Sequence, residues 1–325
     1  MFDILKAKLR ENPKKIVFTE GHDARILEAA AQLKKDGLFL TPILIGNPEV
    51  VKAKAAECGF DIEGLEIIDP ATYPDMEKMV ETMVELRKGK MSPEDCRANL
   101  LKGNYFGTML VKMGYADSLL GGATYSTADT VRPALQLVKT RKGAHLVSSC
   151  FIMAREGKDG KQELLAMGDC AINIKPTVQE IAETGIHCAE CGKIFGIDPK
   201  IAFLSYSTHG SGFGEDVDKM REAAHLAGGM RPDLSIDGEL QFDAAVSPRV
   251  AQTKCPGSNV AGHANVFVFP DINSGNIGYK IAQRLGKFDA YGPILLGLNA
   301  PVNDLSRGCN GMEVYSMAII TAALA

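Results

Sequence analysis

Short apolar runs alternate along the first part of the chain with stretches in which apolar residues recur every three or four positions. Residues 15–19 (KIVFT), 42–46 (PILIG) and 65–68 read as buried strands. Between them, Asp23 is placed to cap a helix with an apolar face of Ile26, Ala29, Ala30 and Leu33, closing at Gly37. Asn47-Pro48-Glu49 starts the next helix, with proline at its first position. This rhythm predicts βαβ units and a mainly parallel sheet. A helical segment over 74–88 runs into the basic cluster Arg87, Lys88 and Lys90, and Ser92-Pro93-Glu94 starts another. Residues 118–120 read as a strand that leads into Gly121-Gly122. The helix-starting residues Ser126, Thr127, Asp129 and Thr130 follow, which places Arg132-Pro133 in a first helical turn, where proline is tolerated. A cation there opposes the helix dipole at a cost of ~0.3–1 kcal/mol, which suggests a bound anion beside Arg132.

The pattern changes near residue 145. Residues 145–154 and 163–173 read as a strand pair, with 155–162 as its turn, so a second domain begins there. Thr177 and Glu180 form a capping box at the head of a helix that carries Cys188 and Cys191. Residues 202–206 form a strand that feeds a Ser/Gly-rich loop containing His209, and 264–269 form another. After the latter, Asp271, Asn273, Ser274, Gly275 and Asn276 open a helix and read as an anion cradle. Near the end, the apolar run 294–298 reads as a strand with a loop at its carboxyl end, the place where open α/β sheets bind ligands. That loop holds Asn303, Asp304, Ser306, Arg307 and Gly308, and Asn310 is an N-cap that leaves Glu313 in the first turn of the last helix. A hydroxyl, a guanidinium and free helix amides converge there, which makes it an anion site.

Composition narrows the function classes. A chain of 325 residues with 46% apolar and 23% charged residues is globular and long enough for two cores. A net charge of −4 argues against a nucleic-acid binder and leaves an anionic substrate dependent on local arginines. The start, MFDILKAKLREN, reads as a short amphipathic helix rather than a signal peptide, and no apolar run is long enough to span a bilayer. A cytoplasmic protein with reduced cysteines is expected. No second cysteine pair stands at finger spacing from Cys188 and Cys191, so no metal site is expected.

The stretch PVNDLSRGC, residues 301–309, closely resembles the signature of the phosphate acetyltransferases, and 116–140, 238–245 and 260–280 are similar to the same family. The resemblance implies two α/β domains with mainly parallel sheets and a cleft between them, in an isopropylmalate-dehydrogenase-like fold. It implies domains of 1–144 plus 299–325 and of 145–298, and a homodimer. The implied activity is reversible transfer of an acetyl group between acetyl phosphate and coenzyme A, with coenzyme A as a substrate, no cofactor and no metal. Its implied catalytic residues are Ser306, Arg307 and Glu313, and Arg132, Arg87, Asn276, Asn303, Ser274 and Gly275 are the implied substrate contacts. Arg307 would hold phosphate, Ser306 would hydrogen-bond the reacting group and Glu313 would deprotonate the thiol. Where this chain carries Glu313, seven residues after the serine, the family pattern has aspartate. A thiol near 8.5 and a glutamic acid near 4.3 differ by about 4 units, so full proton transfer costs ~5.7 kcal/mol unless burial raises the glutamic acid or Arg307 stabilises the thiolate. Phosphate butyryltransferase is the near alternative. A metal- and NAD-dependent hydroxyacid dehydrogenase of similar fold and a non-catalytic acetyl-phosphate or coenzyme A sensor are more distant ones.

Overall fold

The computed structural model describes residues 1–37, 39–157 and 160–325. They form two compact units, one of Phe2–Lys142 with Leu298–Ala325 and one of Gly143–Gly297 with Met1. The first unit opens with α1 (Phe2–Glu11) and alternates through β1 (Lys14–Phe18), α2 (Ala24–Lys35), β2 (Leu40–Ile45), α3 (Pro48–Cys58) and β3 (Glu66–Ile68). Three helices follow, α4 (Met76–Arg87), α5 (Pro93–Leu100) and α6 (Gly103–Lys112), and then β4 (Ser118–Gly121) and α7 (Thr127–Pro133). Local chemistry sets these boundaries. The Asp23 carboxylate accepts the Arg25 amide at the head of α2, and Asn47 accepts the amides of Glu49 and Val50 ahead of Pro48.

The second unit holds β5 (Ser148–Glu156), β6 (Gln162–Gly168), α8 (Val178–Ile194), β7 (Lys200–Leu204), α9 (Glu215–Met230) and β8 (Ser235–Leu240). It continues through α10 (Phe242–Val246), α11 (Pro248–Lys254), β9 (Val266–Val268), α12 (Ile272–Arg284) and β10 (Asp289–Leu296). Its six strands lie in the order β10-β5-β6-β9-β7-β8. β5 runs antiparallel to both β10 and β6, and the remaining neighbours are parallel. The β5–β6 pair is the hairpin that the sequence predicts. Its turn includes positions 158 and 159, which lie outside the described residues. The capping box at Thr177 and Glu180 forms at the head of α8. Cys188 and Cys191 are buried on that helix, and no group of metal-ligating side chains occurs among the described residues.

The chain then returns to the first unit as β11 (Val302–Asp304) and α13 (Gly311–Ala323). The first sheet reads β11-β4-β1-β2-β3 and every neighbouring pair is parallel. Central β1 buries Ile16, Val17 and Phe18 completely. The chain leaves β1 on one side for β2 and β3, then crosses to β4 on the other. That reversal opens a crevice at the carboxyl ends of β1 and β4, where doubly wound sheets bind ligands. Helix α13 is buried along almost its whole length and packs against α2 and α1.

Two expectations are corrected here. The apolar run 294–298 does not carry the reactive loop: it ends in β10, an edge strand of the second sheet. The loop instead follows β11, whose polar residues disguise a buried strand. Asn303 is fully buried there and donates its amide to the Thr321 hydroxyl at 2.8 Å. Arg132-Pro133 is likewise not in a first turn. It ends α7, and the backbone continues as a π-helical turn, Ala134–Val138. The wider turn accommodates a proline that lacks its amide, and the dipole argument for an anion at Arg132 falls. No helix among the described residues is long and apolar enough to cross a membrane.

Candidate active site

The loops after β1, β4 and β11 meet at the carboxyl edge of the first sheet. The Glu20 carboxylate, directly after β1, is 4% exposed. It accepts the amides of Gly122 at 3.1 Å and Thr124 at 2.7 Å, and the hydroxyls of Thr19 and Thr124 at 3.0 Å each. The β4–α7 loop is thereby moulded around one buried charge. Arg25, in the first turn of α2, extends this bracing to the third loop. Its guanidinium is paired with Asp23 and donates to the carbonyls of Ala123 at 2.9 Å and Arg307 at 2.8 Å. The loop before α13 is therefore clipped to the loop before α7 through its backbone, which leaves the Arg307 side chain unused.

Ser306 and Arg307 are both exposed. The Arg307 guanidinium makes no hydrogen bond or ion pair among the described residues. A tight turn holds the pair, with the Cys309 amide on the Ser306 carbonyl at 3.0 Å and the Gly308 amide on the Ser306 hydroxyl at 3.3 Å. Asn310 caps α13 as the sequence predicts, and Glu313 completes a reciprocal capping box. The Asn310 side chain accepts the Glu313 amide, and Glu313 Oε2 accepts the Asn310 amide, both at 2.9 Å. One oxygen of this exposed carboxylate is therefore committed to the helix start. Ser306, Arg307 and Glu313 share one loop and one helical turn.

Asp304 closes β11 and is 3% exposed. Its oxygens accept the Thr127 and Thr130 hydroxyls at 2.6 Å each. Burial pushes its pKa above the usual carboxylate range. The two hydroxyls oppose that shift, the Glu20 charge adds to it, and the Arg307 charge draws it back down.

Arg87 and Arg132 form a second group, around Tyr105. Arg87 ends α4, followed by Lys88 in the left-handed region at φ 49°. Its Nε is buried and has no partner among the described residues, a costly state unless a ligand supplies an acceptor. Arg132 is exposed near the end of α7. Burial raises the Tyr105 phenol pKa, and the charges of Arg132 and Arg87 both oppose that rise.

The remaining predicted contacts lie in the second unit and spend their donors on the protein. The Asp271 carboxylate caps α12 and takes the Ser274 amide, and the Ser274 hydroxyl bonds back to Asp271. Gly275 lets α12 press against the Asp169 carbonyl, where a Cβ would collide. Asn276 donates to the Cys170 carbonyl at 3.0 Å. The Asp271 carboxylate thus already stands at this helix start. His209 sits in the loop after β7 with Nε2 on Asp237 at 3.0 Å.

The model of one family, Phosphate acetyl/butaryl transferase, matches residues 1–322. The chain belongs to that family. It is 52% identical over 325 residues to a phosphate acetyltransferase of Bacillus subtilis strain 168, covering 100% of this chain and 99% of that one. The crystal structure of a phosphotransacetylase from Streptococcus pyogenes superposes with a TM-score of 0.96 at 56% identity, covering 99% of this chain and 97% of the other. A candidate 4-hydroxythreonine-4-phosphate dehydrogenase from Salmonella typhimurium shares the fold alone, with a TM-score of 0.54 at 14% identity over 97% of this chain and 100% of that one. Of the residues that shape this corner, Glu20 and Arg25 carried no motif in the sequence. Position was the available signal for Glu20, since polar groups just after a central buried strand stand at the crevice. Asp304 lay within PVNDLSRGC, but its burial at the end of β11 was hidden.

Proposed function

We propose that this transferase catalyses the reversible exchange of an acetyl group between acetyl phosphate and coenzyme A, in the cytoplasm. The carrying observation is the unengaged Arg307 guanidinium beside the Ser306 hydroxyl, on a loop whose backbone is braced by Arg25. In this reading Arg307 binds the phosphoryl group and the Ser306 hydroxyl meets the oxygen on which charge develops. The free oxygen of Glu313 faces the thiol and takes its proton as the thiolate forms. The thiolate sulfur attacks the acetyl carbonyl, the carbon–oxygen bond to phosphate breaks and phosphate leaves. Thiol and carboxylic acid differ by about 4 pKa units, so Arg307 must also stabilise the sulfur anion. Arg87, with its unmet Nε, and Arg132 supply cationic contacts for the phosphate groups of coenzyme A. This chemistry draws on side chains and amides alone, without metal or cofactor.

Acetyl-coenzyme A formation from acetyl phosphate, read at the thioester, tests the proposal. Arg307→Ala is expected to lower the rate at least about 100-fold, the scale of losing one charge-stabilising donor. A rate unchanged by that substitution would end this reading. Exposed Ile277 and Ile281 of α12 and Leu285 at its C-cap recur at four-residue spacing, which supports pairing of two copies as a homodimer.

A further inference from the structure

We propose that Glu20 is a positioning residue for the transfer reaction: its buried carboxylate sets the β4–α7 loop, and through Arg25 it sets the Ser306–Arg307 loop. The inference rests on the acetyl-transfer reading above. A carboxylate is expensive to bury, so its acceptor sites must be met. Each Glu20 oxygen takes two donors. Oε1 accepts the Thr124 amide and hydroxyl, and Oε2 accepts the Gly122 amide and the Thr19 hydroxyl. These fill the about four acceptor sites a carboxylate has, which leaves none for substrate. Because the Thr19 hydroxyl donates to Glu20, the Tyr125 hydroxyl 2.7 Å away donates to Thr19, and a further group of the same loop is ordered by this charge. The backbone of Glu20 then closes a circuit. Its carbonyl accepts the Asp23 amide at 2.9 Å. The Asp23 carboxylate holds the Arg25 guanidinium through Nε at 2.9 Å and Nη2 at 2.8 Å. Arg25 Nη2 also donates to the Ala123 carbonyl, and Ala123 lies between the two residues whose amides Glu20 holds. Arg25 is thus fixed from both sides by one residue. Its Nη1 points out of the circuit, to the carbonyls of Arg307 and, at 3.3 Å, Cys309. The circuit needs a carboxylate rather than an amide. Glutamine would present an NH2 group where an oxygen now meets a backbone amide, setting donor against donor. The β4–α7 loop would shift and carry the Ala123 carbonyl and the Arg25 fork with it, a displacement that transfer chemistry feels strongly.

A double-mutant cycle on the purified full-length enzyme tests the assignment, read as acetyl-coenzyme A formation from acetyl phosphate. Glu20→Gln is expected to lower kcat about tenfold with KM for coenzyme A unchanged, because no substrate contact is removed. In an Arg25→Met background the same substitution is expected to lower kcat less than about twofold, because its effect runs through the missing guanidinium. Equal losses in both backgrounds, an unchanged kcat in the single variant, or a loss that falls on KM for coenzyme A alone would overturn the proposal. Should Glu20→Gln fail to fold, Thr124→Val removes one hydroxyl donor from Oε1 and is expected to lower kcat about threefold, again only where Arg25 is present; no change there overturns it too. An inactive wild type, or turnover indifferent to Arg307→Ala, would defeat the acetyl-transfer reading instead.

Discussion

On the proposed reading Glu313 carries two duties at one residue, and the geometry separates them. One oxygen closes the capping box on Asn310, and the other is left for the proposed proton transfer. Glutamine serves equally well at this position of a capping box, so Glu313→Gln removes the base and keeps the cap. Its thermal midpoint should match the wild type while kcat falls at least about tenfold. Glu313→Ala should in addition cost ~0.5–2 kcal/mol of stability, measured by urea unfolding. A Gln variant with wild-type turnover would exclude Glu313 as the base. At this scale the sequence was most legible where the chemistry is local. Asp23, Asn47, Thr177 and Asn310 cap helices within their own few residues, and each does so in the structure. It was least legible at Asn303 and Asp304. Their partners are Thr321 and the pair Thr127 and Thr130, and the latter lie 174 or more positions away.

Among the elements, the Ser306–Arg307 loop depends on a helix that contributes none of the proposed catalytic groups. Arg25 of α2 holds the carbonyls of Ala123 and Arg307, and so fixes two loops against each other. Arg25→Met keeps much of the side-chain length and removes the forked donor. Turnover should fall about tenfold or more while the helix content seen by circular dichroism stays constant, since small misplacements of a reacting group are costly. Wild-type kcat/KM in that variant would show the loop to be rigid without this brace. Element order was readable from the alternation of period two and period 3.6, but strands without an apolar run were not. β11 is three residues long with two polar side chains, and β8 reads SIDGEL, so neither presents an apolar run. The end of α7 was misread because proline at an interior position is rescued here by a π turn, a device no composition rule announces.

For the molecule as a whole, pH and association offer separate handles. Glu239 in the second unit is buried, which pushes its carboxyl up. The Arg221 guanidinium, the Gly210 amide and the Ser207 hydroxyl more than offset that and hold it at about 2. A depressed carboxyl stabilises the fold above its unfolded pKa, near 4.3, and that contribution is lost as the pH falls from there toward 2. Urea midpoints should therefore drop between pH 5 and about 2, and Glu239→Gln should flatten that part of the curve. An unchanged slope would mean that the pair does not govern acid stability. Association is tested by Ile281→Asp, which puts a charge in the middle of the exposed α12 stripe. Light scattering should show a dimer for the wild type and a smaller mass for the variant.

The return of segment Leu298–Ala325 to the N-terminal unit bears on how the protein is made. While the ribosome is still translating, β4 is an unpaired border and the groove between α1 and α2 stands empty, awaiting a helix not yet synthesised. Gly143–Gly297 is contiguous and can settle earlier. The Ser306–Arg307 loop arrives with the last pieces, so a nascent fragment lacks the proposed catalytic corner until its own tail threads back and seals the sheet.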